Sequence, residues 1–218
     1  MDGLSYQPVV HYLNGQYNGV INVREPNNKH YVYANRGWDD DEIDQFEIAT
    51  ARYNQVCGTK DALNELRELS KNCAVDEVYD EVCRRLDIDE YCNYIATEIY
   101  LGTSDWLNNN NNCKGYRRRI EDLDTSEPID SADGRFRLVQ FDLDSAFGTV
   151  DGFNYFSQTR ILLNHVTGRD EEFDLINIFY YLCRNPRFRK RFADTFCLVA
   201  GSVFEPDRCR AIVDRNII

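Results

Sequence analysis

An alternating run, with Phe136, Leu138 and Gln140 set against Val139 and Phe141, delivers two aspartates one residue apart in Asp142-Leu143-Asp144-Ser145-Ala146-Phe147-Gly148. Carboxylates held this close repel one another unless a cation shares them, so the stretch calls for a fold that turns both towards one metal ion. Residues i and i+2 of a strand share a face, which suits joint ligation. A second polar cluster lies upstream, Asp105-Trp106-Leu107-Asn108-Asn109-Asn110, on a loop leaving an amphipathic helix. The rest of the chain reads as what positions these two loops.

Their order carries more than either piece. An aspartate on a loop after a helix, asparagines four and five residues later, a hairpin, and a strand ending in Asp-x-Asp near Phe-Gly is the order used by kinase-type phosphotransferases. There the first aspartate accepts the proton of the substrate hydroxyl, while the asparagine and the later aspartate hold magnesium on the phosphates of ATP. Taken singly the features are ordinary, since surface Asp-x-Asp pairs are common and an asparagine run such as 108–112 is usual loop material. A Ser-His-Asp triad is poorly supported, because His11, His30 and His165 have no Gly-x-Ser-x-Gly partner. A glycosidase could use Asp142 and Asp144 as acid and base, but such carboxylates face each other across a sugar rather than sharing one face.

Charge narrows the partners. With 25 Lys and Arg against 37 Asp and Glu, the net charge of -12 opposes nucleic acid and anionic lipid. The same excess agrees with a nucleotide site that needs divalent cations between its carboxylates and a triphosphate. An apolar content of 43% is enough for a core, and neither a membrane span nor a signal peptide is expected from the sequence. Eight cysteines without a Cys-x-x-Cys pair argue against a zinc knuckle and leave disulfides and reduced core thiols equally open.

Along the chain, Val9, His11 and Leu13 alternate up to Asn14-Gly15, a two-residue turn signal, and Tyr17 to Val23 return, with Asn18-Gly19 marking a bulge. Tyr31 and Tyr33 predict a further extended piece within 29–36. The acidic run Asp39-Asp40-Asp41-Glu42 lacks the spacing of a calcium loop and reads as a solvated turn entering a helix N-terminus. Helical periodicity then covers Ala62 to Cys73, Val75 to Leu86, and Ile88 to Ile99 with Gly102 as terminator. Arg117-Arg118-Arg119 reads as a solvated hairpin strand rather than a phosphate clamp. Helices are expected again around 173–182 and 188–199 and after Glu205-Pro206.

Four ordered blocks carry a family resemblance: Tyr12-Leu13-Asn14-Gly15-Gln16-Tyr17-Asn18-Gly19-Val20 leading to Arg24-Glu25; Asn93-Tyr94-Ile95-Ala96-Thr97-Glu98-Ile99-Tyr100 leading to Asp105-Trp106; Phe141 to Gly148; and Asn185-Pro186-Arg187-Phe188-Arg189 with Arg191-Phe192. In these the chain resembles the spore-coat protein H (CotH) kinase-like family over nearly its whole length. The resemblance implies an α+β, atypical protein-kinase-like fold. Residues 1–36 would form a remnant N-lobe hairpin and hinge, and 37–218 a mainly helical C-lobe carrying the catalytic hairpin. It implies transfer of the ATP γ-phosphate to Ser or Thr of a coat or secreted protein, magnesium dependence and an extracytoplasmic setting. Asp105 would be catalytic, Asn109 or Asn110 the loop metal ligand, Asp142 the metal-binding aspartate with Asp144 beside it, and Glu25 a nucleotide contact near the hinge. Family members carry further strands and a phosphate-clamping basic residue before the hairpin. Here none of Lys29, Lys60, Lys71, Lys114 and Lys190 lies at such a place, so an incomplete N-lobe is expected. That keeps a second function open, a catalytically impaired interaction protein of the pseudokinase or adhesin kind.

Overall fold

The computed structural model describes residues 2–26, 28–49, 52–103, 106, 112–120, 133–147 and 174–216. Its architecture is α+β. The short strand β1 (Asp2–Gly3) opens the chain, and β2 (Tyr6–Leu13) and β3 (Gln16–Arg24) form a separate two-stranded hairpin. Asn14 and Gly15 both take positive φ, 50° and 79°, which lets a two-residue loop match the twist of its strands. The expected bulge is present: the register shifts between Val10 and Tyr12, and Gly19 supplies the positive φ of 95° there.

The extended piece expected within 29–36 is instead helix α1 (His30–Arg36). Its buried residues, Tyr31 and Val32, are sequence neighbours that a strand would send to opposite faces. The side chain of Asn28 accepts the His30 N–H at 2.9 Å, and Gly37 ends the helix at φ 72°. The acidic run also differs from expectation, entering strand β4 (Ile43–Ala49) rather than a helix. Arg118 reaches its Glu42 at 2.8 Å, Arg119 donates to the Asp41 carbonyl and Lys29 reaches Asp40 at 2.8 Å, while Arg117 reaches the buried Asp44 of β4 at 2.8 Å. Two opposite charge runs thus fasten strand to strand.

Strands β4, β5 (Arg52–Cys57), β6 (Cys113–Arg118) and β7 (Arg137–Gln140) join β1 in a five-stranded sheet ordered β1-β7-β6-β4-β5. Among the described strands only β1 runs parallel to its sheet neighbour, pairing Asp2 with Val139. On one face Phe46, Phe136 and Leu138 pack against α2 (Asp61–Ser70), α3 (Asp76–Arg85) and α4 (Ile88–Leu101), together with α5 (Asp174–Leu182) and α6 (Pro186–Leu198). On the other, Ile43, Tyr116 and Val139 meet Tyr31, Val32 and Trp38. Gly115 lets the Phe46 ring lie flat on β6, since a Cβ there would stand 2.6 Å from that ring. A π-helical turn, Val199–Val203, leads from α6 towards α7 (Pro206–Asn216). No helix of the described residues is long and apolar enough to cross a membrane. All eight cysteines are free thiols.

Candidate active site

Helix α4 is the base on which the site stands. Asp87 caps it, accepting the Glu90 N–H at 3.1 Å, and Asp89 and Glu90 place negative charge on its first turn. Gly102 stops it at φ 64°, with its N–H on the Glu98 carbonyl at 3.0 Å. Beyond the stop, Thr103 and Trp106 are buried, and the Trp106 indole N–H donates to the Tyr94 hydroxyl at 2.9 Å. The loop is therefore pinned one residue past Asp105. Asp105 itself, with Asn108, Asn109 and Asn110, lies outside the described residues. Replacing Trp106 by Phe keeps an aromatic ring and removes the indole donor from the buried Tyr94 hydroxyl, which retains Cys113 as a partner, so a loss of about 1 kcal/mol is expected in urea unfolding. A variant as stable as the parent would show that this hydrogen bond does not hold the loop.

The second loop leaves the sheet differently from the sequence reading. Strand β7 ends at Gln140, and Asp142 adopts φ 55°, a left-handed conformation that aspartate tolerates. The two aspartates consequently sit on a turn rather than on one face of a strand. Asp142 is half-buried and Asp144 exposed, with the Ser145 hydroxyl 3.4 Å from the Asp144 carboxylate. Buried Ala146 anchors the turn, and the Phe147 N–H donates to the Leu101 carbonyl at 2.9 Å. The stretch after β7 is thereby fastened to the last turn of α4, which launches the Asp105 loop.

A cleft of about 480 Å³ runs between this turn and the foot of the hairpin. Asp142, Leu143 and Asp144 line one side; Ser5, Tyr6, Asn22 and Arg24 line the other. Glu25 serves the hairpin: its carboxylate accepts the Ser5 N–H at 3.1 Å and the Asn35 side-chain amide, tying the strand ends to α1. Sequence reasoning missed Arg24, Tyr6 and the β1 segment, because only the fold brings the start of the chain beside β7.

Among the described residues no three His, Cys, Asp or Glu side chains form a metal cluster. Asp142 and Asp144 nonetheless suit magnesium in kind, since that ion is usually held by one or two carboxylates with phosphate and water completing its shell. Among the described residues Asp142 has no ion-pair partner, and both carboxylates border open space.

A family model described as CotH kinase protein matches residues 1–217. No curated protein matches the chain.

Proposed function

The chain belongs to the CotH kinase protein family, and from that membership we propose that it transfers the γ-phosphate of ATP to a Ser or Thr hydroxyl of a coat or secreted protein, outside the cytoplasm. The observation that carries the reading is the cleft bordered by Asp142 and Asp144, with their turn hydrogen-bonded to the end of the helix that launches Asp105. Asp142 and Asp144 would hold the metal, with Asn109 or Asn110 completing the set from the other loop. When bound, magnesium neutralises charge on the phosphates. Asp105 takes the proton from the attacking hydroxyl as its oxygen bonds to the γ-phosphorus and the bond to the bridging oxygen breaks, releasing ADP. Arg24, across the cleft from the aspartates, offers a cation to the triphosphate.

Calorimetric titration of Mg-ATP tests this, with phosphate transfer to a generic Ser/Thr-rich protein followed in parallel. Asp142→Ala is expected to abolish metal-dependent nucleotide binding. Asp105→Asn is expected to keep binding and lower turnover by about 10²-fold or more. Nucleotide binding untouched by Asp142→Ala would overturn the assignment, and a folded parent that binds no ATP would favour an interaction protein instead.

A further inference from the structure

Two side chains that the proposed chemistry leaves unused join the supports of both loops. Glu98, in the last turn of α4, is 2% exposed, and Gln140, the last residue of β7, is 8% exposed. The Gln140 amide Nε2 donates to the Glu98 carboxylate. The amide nitrogen faces Glu98 in this bond and the amide oxygen turns away. A Glu98 oxygen that accepts this bond thus selects one orientation of the side chain two residues before Asp142. A hydrogen bond between two buried side chains is strengthened by the low local dielectric. Glu98 stands four residues before Gly102 and Gln140 one residue before the Phe141–Asp142 turn, so the bond spans the two launch points.

We propose that Glu98 and Gln140 are a positioning pair that fixes the Asp142 turn against the end of α4. The phosphotransfer reading enters only in what the turn then holds; the seam itself does not depend on it. Outer partners of metal ligands typically govern affinity about 10–100-fold.

Three variants test the pair: Glu98→Gln, the swap Glu98→Gln with Gln140→Glu, and Arg137→Lys at the far end of the same helix–strand seam. Mn²⁺ alone is titrated by electron paramagnetic resonance, and amide hydrogen exchange is read at Phe147, whose N–H spans turn and helix. With two amides facing each other the orientation is no longer selected. Glu98→Gln is therefore expected to weaken Mn²⁺ binding about tenfold and to speed Phe147 exchange, while the swap restores both. Arg137→Lys is expected to lower thermal stability without changing either readout. Glu98→Gln with parental Mn²⁺ affinity and parental exchange would overturn the proposal, as would a swap that recovers stability alone. Should the parent bind no Mn²⁺, the metal assignment of Asp142 falls. Phe147 exchange then decides the positioning pair by itself.

Discussion

Replacing Arg137 by Leu is expected to cost about 3–5 kcal/mol, the range found when one partner of a buried ion cluster is removed. Arg137 is 3% exposed and grips Asp133 with two hydrogen bonds of 2.9 Å, while its Nη2 also donates to Asp87 at 3.1 Å. Asp87 is the cap of α4, so the guanidinium joins the start of the central helix to β7 and to the segment before it. Burial works against ionisation of Asp133, but Arg137, the Arg135 backbone N–H and the Arg135 side chain outweigh it and hold its carboxyl below the usual range. With leucine in place, Asp133 would keep Arg135 and Asp87 the Glu90 N–H, both carboxylates with little access to water. Urea unfolding at pH 7 measures the loss, and Arg137→Leu combined with Asp133→Asn should recover part of it. A loss below about 1 kcal/mol would mean that water already reaches the cluster, as at an exposed pair.

The same cluster shows what the sequence could and could not disclose. Helix α4 was legible because its apolar residues recur at helical spacing between an acidic first turn and Gly102. That identical pattern hid Glu98, a charged residue three positions from Ile95 and so on the apolar face; its misplacement was the available signal. Strands β4 and β5 went unassigned because β4 is buried on both faces, Asp44 and Gln45 included, and shows no alternation. Asp44 could be called buried only once Arg117 was known to sit opposite it, a register fact rather than a local one. Helix α1 was misread for the reverse reason: Tyr31 and Tyr33 alternate, yet Tyr33 is exposed, and the Asn28 turn bond to the His30 N–H and the left-handed Gly37 bound the segment as a helix. Asp142 and Asp144 both line the cleft, but the left-handed turn at Asp142, which takes them off a shared strand face, is a backbone choice that residue type permits without announcing.

Stability should be level from neutral pH to about pH 9 and then fall steeply. Burial pushes the thiols of Cys73, Cys92 and Cys113 up to about 12 and that of Cys183 up to about 11, from an ordinary 9.0. It raises the hydroxyls of Tyr91 and Tyr94 as well. Below pH 9 each thiol is protonated in both states and contributes nothing to the slope. Above it the unfolded chain releases the proton and the folded chain retains it, so the unfolded state binds fewer protons and stability drops as the pH rises. Each such thiol removes about 1 kcal/mol per pH unit until its folded value is reached, so the four together take roughly 4 kcal/mol by pH 10. Urea midpoints at pH 7, 8, 9 and 10 under reducing conditions measure the fall. Cys73→Ala and Cys92→Ala should each flatten it by one thiol's share, whatever they cost at pH 7 through the cavity left behind. A midpoint that stays level to pH 10 would mean that the core thiols ionise in place, and that the packing of α2 to α5 around them is open to water.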